Sequence, residues 1–141
     1  MNVRYIALPI LALAGSAPST AVLAQSAEAA PHVRVDPGAF VPVPGEERKR
    51  GVTVDPASVR LITPGVDKFS IYNLIGPPHF GEGVMRKWNY VLFFPTGSEN
   101  AERVRCRMEI RFEKPRGRYN VIVSEVVWQD QACADRVAAA S

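Results

Sequence analysis

Residues 103–113 alternate without a fault. Val104, Cys106, Met108, Ile110 and Phe112 fall on one side, and Arg103, Arg105, Arg107, Glu109, Arg111 and Glu113 on the other. A period of two marks a strand with one face buried and the other in water, as occurs in antiparallel sheets. The five apolar side chains need a cover, so this strand belongs to a sheet backed by another layer. Lys114, Pro115, Arg116 and Gly117 follow, turn residues by composition. Beyond them Val121, Val123, Val126 and Val127 predict a strand over about 119–128. Its apolar residues change parity around Ser124 and Glu125, and a bulge there reconciles the pattern. Upstream, Trp88, Tyr90, Leu92 and Phe94 share one face of a third strand. The three make an antiparallel meander.

Two short helices precede it. Asp55 and Pro56 give a helix cap followed by proline at the first helical position. Val59 and Ile62 then face inward, and Pro64-Gly65 ends the helix. Asp67 can cap the second helix, because its carboxylate accepts an orphan N–H of the first turn. Ile71, Tyr72, Leu74 and Ile75 form an apolar stripe. Gly76 suits the left-handed position after the last turn, and Pro77 cannot continue the helix. The expected fold class is therefore α+β, two short helices packed on a three-stranded antiparallel meander in the order ααβββ.

The chain has 141 residues, enough for one small domain. Arg4, the apolar run 6–14 and the small residues around Val22-Leu23-Ala24 have the layout of a cleavable secretory signal over 1–24. The rival is a membrane anchor, but the run is shorter than the roughly 20 residues that span a bilayer. No cysteine lies near the cut, so no lipoprotein signal is read. Residues 25–51, rich in Ala, Pro and charge, read as a flexible linker. Within it Val33, Val35, Phe40, Val41 and Val43 could add a strand to a partner's sheet edge, although a mobile arm is the favoured reading. The folded domain is expected over 52–135, with a disordered tail over 136–141.

Export bears on the two cysteines, Cys106 and Cys133. An oxidising compartment and an even count fit a disulfide, drawn here across the last two strands; two buried thiols are the alternative. The net charge of +3 falls by one when Arg4 leaves with the signal, too mild an excess to argue for nucleic acid.

Three motifs in order carry a family resemblance. They are Gly65-Val66, then Leu74-Ile75-Gly76-Pro77-Pro78, then Trp88-Asn89-Tyr90. They resemble the signature of the BamE (SmpA/OmlA) family of small envelope proteins. The form with Pro78-His79-Phe80, Glu82-Gly83 and a later Cys looks closest to the BamE-like modules of some OmpA-related proteins. The resemblance implies a two-layer ααβββ domain, in which Tyr72, Gly76, Pro77, Trp88 and Tyr90 are structural. It also implies an outer-membrane setting on the periplasmic side. The implied partners are envelope proteins, such as barrel-assembly subunits or an outer-membrane protein, and anionic phospholipid.

A catalytic set is not visible. His32 lies in the linker. His79, between Pro78 and Phe80, reads as a turn histidine bonded to backbone rather than a base or ligand, since only Glu82 stands near it. Two cysteines and two distant histidines do not make a metal site, and no cofactor motif is present. The aromatic residues read mainly as core, except Phe69 and Phe80, which flank the second helix and are candidate exposed anchors. The charged side of 103–113 reads as a solvated face with Arg and Glu paired across strands, or as a grip on lipid headgroups through Arg105 and Arg107. The candidate interaction surface is thus Gly65, Val66, Phe69, Pro78, His79, Phe80, Arg105 and Arg107. The function expected is a non-enzymatic envelope binding module. The alternative is a secreted inhibitor of a hydrolase, because β-lactamase inhibitory proteins use a similar small module.

Overall fold

The computed structural model describes residues 33–42, 49–80, 86–97 and 102–141. The expected signal peptide, and Glu82 and Gly83 of the glycine-rich turn, lie outside the described residues. The centre of the fold is an antiparallel meander of β3 (Lys87–Pro95), β4 (Arg103–Glu113) and β5 (Ile122–Trp128). Two short parallel strands flank it, β1 (Val33–Val35) on β5 and β2 (Val52–Thr53) on β3. The sheet is therefore five-stranded and mixed, in the order β1-β5-β4-β3-β2, and the expectation of three antiparallel strands is corrected. A bare meander leaves two edges with unpaired backbone groups, and this chain closes both with extended segments from elsewhere.

Each edge is closed twice. β1 covers β5 along Val126–Trp128, and residues 65–68 cover it along 121–123. In the second contact Gly65 N–H donates to Val123 O at 2.8 Å and Lys68 N–H donates to Val121 O at 2.9 Å. On β3, β2 pairs with Leu92 and Phe93, while Phe80 bridges Asn89. The segment expected as a linker over 25–51 thus supplies a strand, and Phe40 in it is buried.

The helices start where their caps direct. α1 (Pro56–Arg60) follows Asp55, whose side chain accepts from Ala57 N–H. α2 (Lys68–Ile75) follows Asp67, which accepts from Phe69 N–H. It stops at Gly76, with φ 80° and ψ −172°, a region open essentially only to glycine. A third helix, α3 (Gln131–Ala138), replaces the fraying tail expected after Cys133. Asp130 caps it by accepting from Cys133 N–H, and Gln131 bonds Asp135 one turn on. The cap at Asp130 followed by alanines is the local signal for this helix in the sequence.

The disulfide joins Cys106 on β4 to Cys133 on α3, with a Cα–Cα distance of 5.8 Å. It staples the third helix to the sheet rather than one strand to another. The bulge falls where parity predicts it. Arg111 pairs with Glu125 and Phe112 with Val123, so Ser124 is left over and its hydroxyl donates to Arg111 O.

The core lies between the helices and one face of the sheet. Trp88, Tyr90, Leu92 and Phe94 of β3 meet Cys106, Met108 and Ile110 of β4, with Ile71 and Ile75 of α2 above them. The charged face of β4 is not simply solvated. Arg107 is 7% exposed and Glu109 4%. Glu109 and Glu125 share Arg111, at 2.7 and 2.9 Å, and Arg34 reaches Glu125 from β1 at 3.5 Å. The expected cross-strand pairing is present, but at its centre it is covered by chain rather than water.

Candidate interaction surface

The residues singled out by sequence do not share one surface. Gly65 and Val66 spend their backbone groups on the β5 edge, and Gly65 has φ 92°. Phe69, in the first turn of α2, is 70% exposed. Pro78 is buried, and His79 and Phe80 are half-buried against β3. His79 Nδ1 accepts from Val91 N–H at 3.2 Å, and its ring meets Tyr90 edge-on. That bond needs an unprotonated Nδ1. Burial lowers the pKa of His79 from its usual 6.5 and so keeps the acceptor. The stability this contributes is complete above the unfolded value and is lost as pH falls through the lower folded one. His79 therefore fastens the turn to the sheet.

The structural residues lie together. Tyr72 packs on Trp88 at 5.1 Å between ring centroids, Tyr90 OH donates to Gly76 O at 3.0 Å, and Pro77 is exposed at the helix stop. Arg105 is exposed near the other end of β4. Arg107 is folded under the chain: its Nη1 donates to Val41 O at 2.6 Å and its guanidinium lies 5.1 Å from the Phe40 ring. Desolvation pulls its pKa below the usual guanidinium value, and the nearby Arg105 charge adds to this. It is not available as a headgroup grip in this arrangement.

A surface that the sequence reading missed stands where β3 begins, β4 ends and β5 begins. The turn between β4 and β5 carries Lys114, Arg116, Arg118 and Tyr119, all exposed, with Tyr119 at 97%. Arg118 N–H closes the turn on Pro115 O, and Gly117 has φ 76°. Arg86 and Lys87 sit beside it, since Phe112 N–H donates to Arg86 O and Lys87 pairs with Arg111. Lys68 comes to the same end through its bond to Val121, with its ammonium 4.6 Å from the Trp88 ring, and Phe69 follows it. Six cations thus meet two carboxylates, Asp67 and Glu113, in a chain whose whole net charge is +3. None of the six has an ion pair among the described residues. The signal in the sequence is the run KPRGRY, three cations and a tyrosine in six residues, which divides between a turn and a strand start when read element by element.

Among the described residues no helix is long and apolar enough to cross a membrane. A comparison with curated proteins found no match. Residues 51–120 match the family model described as the outer membrane protein assembly factor BamE domain. The match takes in β2, α1, α2, β3, β4 and the basic turn, and leaves β1, β5 and α3 outside it. Its description ties the domain to outer-membrane protein assembly, an envelope function. The order of Gly65-Val66, the helix stop at Gly76 and the Trp88–Tyr90 strand agrees with it, and the chain belongs to the BamE family through residues 51–120.

Proposed function

We propose that this chain is a non-enzymatic binding module on the periplasmic side of the outer membrane. It supports outer-membrane protein assembly or membrane integrity by contact with envelope proteins and with anionic phospholipid. The observation that carries the proposal is the basic, aromatic end of the sheet. Lys and Arg near an anionic leaflet each contribute about 1 kcal/mol of attraction. Tyr and Trp favour the headgroup layer, where an apolar ring and a polar tip are both accommodated. A convex turn with Arg116, Arg118 and a projecting Tyr119, flanked by Phe69, suits such a layer. The site moves from Arg105 and Arg107, where the sequence suggested it, to the opposite end of β4.

Co-sedimentation with vesicles tests this. The protein binds vesicles containing phosphatidylglycerol in preference to pure phosphatidylcholine, and added salt weakens the binding. Arg116→Glu with Arg118→Glu reduces binding at least about tenfold, whereas Arg105→Glu leaves it within about twofold. Equal binding to both lipids, or a loss confined to the Arg105 variant, would overturn the assignment.

A further inference from the structure

Residues 33–42 lie outside the family match, yet they cover both the β5 edge and a buried cation on β4. The segment is a strap. β1 pairs in parallel with β5 over three residues, Val33 to Val126 through Val35 to Trp128. Asp36 N–H then donates to Trp128 O at 2.9 Å, and Asp36 caps the turn Pro37–Ala39. Phe40 follows, its ring against the Arg107 guanidinium, and the main-chain oxygen of Val41 accepts from Arg107.

Arg107 is poorly served by this cover. It is nine-tenths buried, and a guanidinium has five N–H donors. Among the described residues its partners are one neutral carbonyl and one ring, with no carboxylate. Its neighbour on the same face, Glu109, is committed to Arg111 and Asn89. A buried cation is normally paired with an anion. A three-residue parallel strand is also a slight hold, the kind of segment that opens locally at low free energy.

We propose that the β5 edge and the Arg107 seat form a docking groove for the C-terminal segment of a partner protein, and that residues 33–42 occupy the groove in cis. The fitting segment is extended, pairs in parallel with β5 and carries an aromatic residue in the penultimate position. The geometry gives the reason. A chain ending at the position of Val41 presents a carboxylate where the strap presents a carbonyl oxygen, with its ring still against Arg107. The cation-to-carbonyl hydrogen bond becomes a cation–carboxylate pair, which gives the buried guanidinium the anion it lacks and allows two parallel N–H···O bonds in place of one. Main-chain pairing supplies the rest of the affinity, as in other modes of strand addition. The inference deepens the reading of the chain as a protein-binding module, and it does not use the basic end.

The probe is the strap's own sequence, a synthetic peptide of residues 33–41, as the free acid and as the C-terminal amide. It is added to the full chain carrying Phe40→Ala or, separately, Val35→Asp, each of which loosens the strap and leaves Arg107 intact. Near-ultraviolet circular dichroism checks folding, and amide exchange at Asp36 reports whether the strap has left. The free acid is expected to bind a loosened chain more than tenfold tighter than the amide, and more than tenfold tighter than it binds the intact chain. Adding Arg107→Gln should erase the preference for the acid. Equal binding of acid and amide, or no binding to a folded, loosened chain, overturns the proposal. Loss of folding in both variants also overturns it, since the strap would then be part of the fold. Vesicle binding is unaffected in every variant that folds, and the intact chain is tested alongside, so failure here is distinguishable from failure of the membrane reading.

Discussion

Replacing Trp88 with alanine lowers the stability of the domain by about 3–5 kcal/mol. The ring is fully buried at the start of β3. It packs edge-on against Phe112 at 4.9 Å and tilted against Tyr72 at 5.1 Å, so it joins α2 to two strands. The Lys68 ammonium lies over the ring, 4.6 Å from its centroid. Alanine removes these contacts together and leaves a cavity that β-sheet backbone on one side cannot collapse to fill. The indole Nε1–H has no acceptor among the described residues. Burying an unpaired donor costs about 1–3 kcal/mol, so Trp88→Phe is far milder, because it removes that cost while keeping most of the packing. Urea denaturation of both variants measures the difference. A loss below about 1 kcal/mol in the alanine variant would mean that the ring is not core.

Removing the disulfide costs about 3–4 kcal/mol. The bond closes a loop with a sequence separation of 27, for which the chain-entropy relation gives roughly 3.5 kcal/mol. Both cysteines are buried, Cys106 on the inner face of β4 and Cys133 in the first turn of α3. The remaining buried residues of α3 are Ala134 and Val137, a small apolar face for a helix of eight residues. Such a helix is marginal without tertiary anchorage. Cys133→Ala should therefore lower the denaturation midpoint and speed amide exchange first in α3. It should also loosen the Arg60 contact to Ala140 O, which ties α1 to the end of that helix. Two free thiols in the mass spectrum of the protein, or an unchanged midpoint after reduction, would contradict this.

Local signals served well wherever one element decides its own shape. The alternation of 103–113 gives β4 to the residue, and Asp55 and Asp67 mark both helix starts. The parity change places the bulge at Ser124. The failures share a cause, which is contact over long sequence separation. Alternation reads Arg107 as wet because charge on every second residue means solvent on average. Val41, 66 residues away, covers it instead. β1 and β2 are three and two residues long, lie near prolines and pair in parallel, so neither a hairpin nor a period announces them. Pro78, placed by sequence in the candidate interaction surface, is buried because the backbone bonds of His79 and Phe80 to Asn89 pull that turn onto β3. Of the candidate surface, Gly65, Phe69 and Arg105 are exposed, and the exposed residues Arg116, Arg118 and Tyr119 came only with the structure.

The charged residues of the chain form two separate surfaces. The paired charges Arg34, Glu125, Arg111 and Glu109 hold the outer face together. Six cations without an ion pair among the described residues are gathered around the β4–β5 turn. Paired surface charges contribute little to recognition because they satisfy one another, whereas an unpaired group of one sign steers an oppositely charged partner. Contact between this module and the envelope should therefore run through the turn. Site-specific photocrosslinking in intact cells, with the photoreactive residue at position 119 and separately at 105, measures this. Adducts with phospholipid or an outer-membrane protein from position 119, and none from 105, are the expected result. Adducts from 105 alone, with position 119 silent, would contradict it.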